Sequence, residues 1–148
     1  MGRSMTGGCQ CGRIRFSAEL EEPHAYLCHC TMCRRATGGP FAAFVNVAKA
    51  DVAWGAPPDR YRSSPIAERS FCATCGTPLA FDYPDSDRID LLVGSLDAVE
   101  QLTPTHHFAI EHCLPAWLDT SRLKGERLDD NTELQARWSR ADGRNDAA

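Results

Sequence analysis

Seven of the eight cysteines in this 148-residue chain fall into three tight clusters: Cys9-Gln10-Cys11, Cys28-His29-Cys30-Thr31-Met32-Cys33 and Cys72-Ala73-Thr74-Cys75. Thiolates one or two residues apart share a short backbone and can reach a single soft cation at a Zn–S distance of about 2.3 Å. The pattern predicts zinc, and whatever fold forms must bring these segments together around it. The first and last clusters offer two sulfurs each, enough for one closed tetrahedral site. The middle cluster offers three and leaves the fourth position open. A closed site suits structure, and an open one suits chemistry.

A second partition stands beside this one. Cys30 and Cys33 with Cys72 and Cys75 form two C-x-x-C pairs, a zinc-ribbon pattern that leaves Cys9, Cys11 and Cys28 over. The first partition uses all seven. In it, Cys9 and Cys11 stand at i and i+2 and share one face of an extended backbone. Cys72 and Cys75, followed at once by Gly76, read as a knuckle whose N–H groups hydrogen-bond the thiolates. Cys33 falls in the first turn of a short helix, where the dipole favours the thiolate. His29, on a strand, points to the face opposite Cys28 and Cys30.

Disulfides compete poorly with metal. The amino terminus runs into Cys9 with no apolar stretch, so no signal peptide is expected and a reducing, cytoplasmic setting is. Cysteines one residue apart on a strand also sit about 6.6 Å apart at Cα, near the limit for a bridge. No run approaches the ~18 apolar residues of a membrane span. A net charge of −4 with no basic face argues against nucleic acid as a partner. The pattern carries no signal of oligomeric state.

Short β-branched and aromatic runs recur between turn signals: 13–17, 25–28, 41–47, 69–72, 79–83, 89–93 and 107–110. This predicts a mainly β fold of small antiparallel sheets pinned by metal. Two helices are expected. One is short, over 31–37 with Thr31 as N-cap and Gly38-Gly39 as stop; the other is carboxyl-terminal, from Glu133 to Arg140, capped by Asn131 or Thr132. Residues 1–140 read as one zinc-binding domain and 141–148 as a disordered tail.

With these residues in view, the chain resembles the glutathione-dependent formaldehyde-activating enzyme family, whose fold is called a β-tent. The matching stretches include Gly8-Cys9-Gln10-Cys11-Gly12, Cys28 to Arg35, Gly38 to Phe44, Phe71 to Leu79, Gly94 to Asp97, Pro104 to Phe108 and Pro115-Ala116-Trp117. The resemblance implies a structural zinc on Cys9, Cys11, Cys72 and Cys75 and a catalytic zinc on Cys28, Cys30 and Cys33. It also implies a carbon–sulfur lyase that reversibly joins glutathione and formaldehyde as S-hydroxymethylglutathione. Small-molecule thiol and aldehyde are then the partners. Cys113 and Ala116 depart from the family's pattern.

A three-thiolate zinc with a vacancy is a Lewis acid that favours ionisation of a bound thiol. Arg34 and Arg35, beside it, have the donor geometry to hold a glutathione carboxylate. Either His106 or His107, alternating on a strand, would face inward as general acid or base or as a structural histidine. Glu68, Asp97 and Glu111 are weaker polar candidates. Trp54, Trp117 and Trp138 are expected to pack the core and its edges, and Cys113 to behave as a small buried hydrophobe. Two rival functions fit the same cysteines: a non-enzymatic zinc-binding interaction module, and a redox or thiol-buffering zinc protein.

Overall fold

The structure, a computed structural model, describes residues 2–141; the tail expected over 141–148 lies, apart from Ala141, outside the described residues. Contacts divide the chain into two units, one ending at Leu114 and the other beginning at Pro115. The first unit is mainly β, as the sequence predicts.

Its smaller sheet has three antiparallel strands in the order β1 (Arg3–Gly8), β2 (Arg15–Leu20), β5 (Val52–Trp54). The larger has seven: β10 (Thr103–Phe108), β3 (His24–Cys28), β4 (Ala42–Ala48), β9 (Arg88–Leu92), β8 (Pro78–Asp82), β7 (Ala67–Phe71) and β6 (Asp59–Ser64). Neighbours in it are antiparallel except β10, which lies parallel to β3 with a register shift between Pro104 and His106. Proline cannot donate to a ladder, so an edge with a bulge is where it fits.

Side-chain alternation gives the larger sheet two different faces. Ala25, Val45, Val47, Ile89 and Leu91 meet Met5, Phe16, Ala18 and Leu20 of the smaller sheet in the main core. Burying each large apolar side chain there contributes about 1.5–3 kcal/mol. The intervening residues Tyr26, Cys28, Ala42, Phe44 and Leu92 line the opposite face, in a second cluster. Against it packs α1 (Thr31–Thr37), which buries Cys33. Its N-cap is Cys30 rather than Thr31, because the Cys30 Sγ accepts the Cys33 N–H, and Gly38 in the left-handed region ends it.

Among the tryptophans, Trp54 packs against the core and meets Phe16 with ring centroids 5.0 Å apart. Trp117 and Trp138 are exposed instead, so two of the three do not fill the core. The second unit contains α2 (Thr132–Arg140), whose Asn131 cap accepts the Leu134 N–H at 2.9 Å. No helix among the described residues is long and apolar enough to cross a membrane.

Candidate functional site

Both outer cysteine clusters are turns of β-hairpins. Cys9 and Cys11 lie in the β1–β2 connection, where the Cys9 N–H bonds Ile14 and the Gly12 N–H bonds the Cys9 carbonyl. Cys72 and Cys75 lie between β7 and β8, where the Cys72 N–H bonds Thr77 and the Gly76 N–H bonds the Cys72 carbonyl. Each turn closes on a glycine at positive φ, +77° at Gly12 and +79° at Gly76, a conformation costly for any residue with a Cβ. One turn belongs to each sheet, so a metal held by both would staple the sheets together.

The four sulfurs lie within 4.8 Å of one another. Cys9 to Cys11 is 3.6 Å and Cys11 to Cys72 is 3.8 Å. A tetrahedron of Zn–S bonds of about 2.3 Å has edges of about 3.8 Å, whereas a disulfide needs about 2.05 Å. The donor set and its spacing therefore fit a tetrahedral thiophilic cation. Thr77 joins the two turns: its Oγ1 accepts the Gln10 N–H at 3.0 Å and lies 3.1 Å from the Cys75 Sγ. Burial raises the Cys75 pKa, but the Thr77 hydroxyl and N–H outweigh it and bring the thiol down to about 5. Further support comes from Asp59, which accepts the Ala73 N–H at 2.7 Å and pairs with Arg13.

Cys28, Cys30 and Cys33 form a separate group of three sulfurs, also within 4.8 Å. The structure does not gather Cys30 and Cys33 with Cys72 and Cys75. Cys28 ends β3 and Cys33 is buried under α1. The hydrogen bond from Cys28, with those of Arg69 and Cys30, outweighs burial and lowers Cys33 to about 5. The same bond to Cys33, with burial, pushes Cys28 up. The Arg69 guanidinium, itself buried, donates to the Cys33 Sγ at 3.3 Å and lies 4.9 Å from the centre of the Phe81 ring.

Other expected residues are placed as follows. His29 is buried on the face away from the sulfurs, and its Nε2 lies 2.8 Å from the Nδ1 of His107. Both His106 and His107 belong to an exposed edge strand, yet the His107 ring is turned onto His29 and the His106 ring stacks 5.4 Å from Tyr26. Arg34 donates to the His112 carbonyl at 3.1 Å, and Arg35 is exposed at the mouth of the helix. Glu68 pairs with Arg60, and Asp97 with Arg15 and Thr6. Glu111 is exposed, and Cys113 is half-buried rather than enclosed.

Sequence reasoning missed Arg69, Tyr26 and Asp90. A cavity of about 170 Å³, whose lining includes Ala36, Tyr61, Arg69, Ser70, Pro78 and Leu92 but none of the three cysteines, opens beside Arg69. The buried Ser70 hydroxyl has no hydrogen-bond partner among the described residues. Farther along the same sheet face, burial raises the Asp90 carboxyl pKa despite bonds from Asn46 and the Tyr26 phenol. Alternation gave a usable signal: Arg69 lies between Ala67 and Phe71 at i±2, and Asp90 interrupts the run Ile89 to Val93.

Residues 4–112 match the family described as glutathione-dependent formaldehyde-activating enzyme. The chain is 43% identical over 77 residues to an uncharacterized lyase of Schizosaccharomyces pombe. That match covers 52% of this chain and only 56% of that protein's length. It is 26% identical over 134 residues, 83% of this chain and 85% of the other, to a Halomonas elongata protein provisionally named a glutathione-dependent formaldehyde-activating enzyme. The crystal structure of a Rhodobacter sphaeroides protein has the same fold, with a TM-score of 0.58 at 24% identity over 70% of this chain and 100% of that one.

Proposed function

Because the chain belongs to the glutathione-dependent formaldehyde-activating enzyme family, we propose that it is a zinc-dependent carbon–sulfur lyase. Its substrate would be the adduct of a low-molecular-weight thiol with a small aldehyde, S-hydroxymethylglutathione being the type. The observation that carries this reading is the contrast between the two sulfur groups, four closing on one point and three standing apart with an arginine beside them.

Cys9, Cys11, Cys72 and Cys75 would hold a structural zinc, and Cys28, Cys30 and Cys33 a catalytic one. The catalytic ion, when bound, supplies a Lewis acid that stabilises a substrate thiolate at neutral pH. In the lyase direction the C–S electron pair leaves on sulfur, and the adduct's hydroxyl loses its proton as the carbonyl forms; addition reverses both. The protein's own task is to hold the adduct. Arg35, and Arg34 at the other end of its bond to His112, offer bidentate donors to a carboxylate.

Zinc counting with and without thiol, alongside a formaldehyde–glutathione condensation assay, tests the reading. Two equivalents of zinc are expected, one exchangeable and required for turnover. One tightly held zinc with no thiol-dependent acceleration would refute it.

A further inference from the structure

Arg69 is, among the described residues, a buried cation without a carboxylate. Asp82, the buried anion on the neighbouring strand, has two cationic partners, Lys49 at 2.7 Å and Arg60 at 2.6 Å. No carboxylate among the described residues forms an ion pair with Arg69, and no other arginine or lysine is buried there. A guanidinium cannot shed its proton to escape burial. Left uncompensated, its desolvation costs several kcal/mol. The Phe81 ring face offsets only part of this. Among the described residues, the one side-chain hydrogen-bond acceptor it reaches is the Cys33 sulfur. A divalent cation on three thiolates leaves a net charge of −1, and Arg69 supplies +1 at the ligand that α1 buries.

We propose that Arg69 is the fixed counter-charge of the Cys28–Cys30–Cys33 site, a positioning residue that sets how tightly the second metal is held and has no part in the first. This rests on the reading of the triad as a metal site. It explains why a charge is kept on the apolar face of β7, where a methionine or leucine would pack at no electrostatic cost.

The test compares the full-length protein with Arg69→Met, Arg69→Gln and Arg69→Lys, loaded with zinc or cobalt and titrated against a chelating dye. Methionine keeps the stem without the charge, and glutamine keeps a hydrogen-bond donor without the charge. Both are expected to retain the first metal and to lose at least about tenfold in affinity for the second, with weaker sulfur-to-cobalt absorption from that site. Lysine should stay within about threefold of the parent. If Arg69→Met fails to fold, as judged by circular dichroism, Arg69→Gln is read in its place. A parent that binds two metals while the glutamine variant binds the second equally well overturns the counter-charge. A parent that binds only one metal overturns the metal reading of the triad, and the inference with it.

Discussion

The Nε2 of His29 and the Nδ1 of His107 lie 2.8 Å apart, which ties the residue between two triad cysteines to the edge strand β10. The neighbouring backbone makes the same connection, from the His29 N–H to the Phe108 carbonyl at 3.0 Å. His107→Ala removes the partner of a buried ring nitrogen and should cost about 1–3 kcal/mol of stability. Because the pair lies on the face away from the sulfurs, metal content should not change. Urea unfolding beside zinc analysis checks both, and a loss of zinc without a loss of stability would contradict this placement.

Cys30 has two roles that substitution can separate. Its sulfur caps α1 by accepting the Cys33 N–H at 3.3 Å, a task a serine hydroxyl also performs. Cys30→Ser should therefore fold with stability within about 0.5 kcal/mol of the parent apoprotein while losing the second metal and activity; Cys30→Ala should cost about 1 kcal/mol more. Cys72→Ser, at a fully buried position of the first group, should instead abolish the cooperative thermal transition. Melting curves and metal counts on the three variants distinguish cap, open site and clamp.

Asp90 should leave a pH signature of its own. Burial raises its folded-state pKa above the unfolded value of about 3.9. A carboxyl shifted in that direction contributes stability that is fully present below the unfolded value and lost as pH rises through the folded one. Asp90→Asn keeps an oxygen for the Asn46 amide, 2.9 Å away in the parent, and never ionises. Urea midpoints of parent and variant should therefore diverge upward from about pH 4, with the variant the more stable near neutrality. Parallel curves would show that Asp90 is not held in a neutral-favouring site.

How much of this was legible in the sequence follows from what each residue has to satisfy. Sulfur spacing is local chemistry, so the three clusters could be read directly, and so could the helix stop at Gly38-Gly39; the second cap was narrowed to Asn131 or Thr132, of which the structure uses Asn131. Strand β1 escaped because Met5-Thr6-Gly7-Gly8 reads as a flexible lead-in; it is held by pairing with β2, a contact no short window contains. The edge strand β6, Asp59–Ser64, escaped because its polar residues look like a loop, while β7 supplies its hydrogen bonds. Arg69 fell inside the predicted strand run 69–72 with no role assigned to its charge. Its burial depends on α1 packing over the far side of the sheet, which composition does not record. Alternation on β10 left open which histidine turns toward the protein; His107 meets the buried His29 ring while His106 stacks on Tyr26, contacts set by pairing with β3 that no short window contains.

Arg35 and Arg34 should separate binding from chemistry. Arg35 makes no side-chain hydrogen bond or ion pair among the described residues, whereas Arg34 is tied to the His112 carbonyl. If they receive substrate carboxylates, Arg35→Ala should raise KM for glutathione about tenfold with kcat nearly unchanged, the signature of lost uniform binding. A thiol without carboxylates should show no difference between parent and variant. Steady-state kinetics with both thiols decides it, and an equal loss with each thiol would remove Arg35 from substrate recognition.

The two hairpin turns that carry the outer cysteines also frame the order in which metals enter. Cys28, Cys30 and Cys33 lie in the stretch of chain between Cys11 and Cys72, so the triad is assembled inside the loop that a metal at the outer four cysteines closes. With that closure unmade, the second ion must meet the folding cost from its own binding energy, and its apparent affinity falls accordingly. If both sulfur groups hold metal, loading is expected to be hierarchical, with scarcity of the ion emptying the triad first and repletion restoring it last.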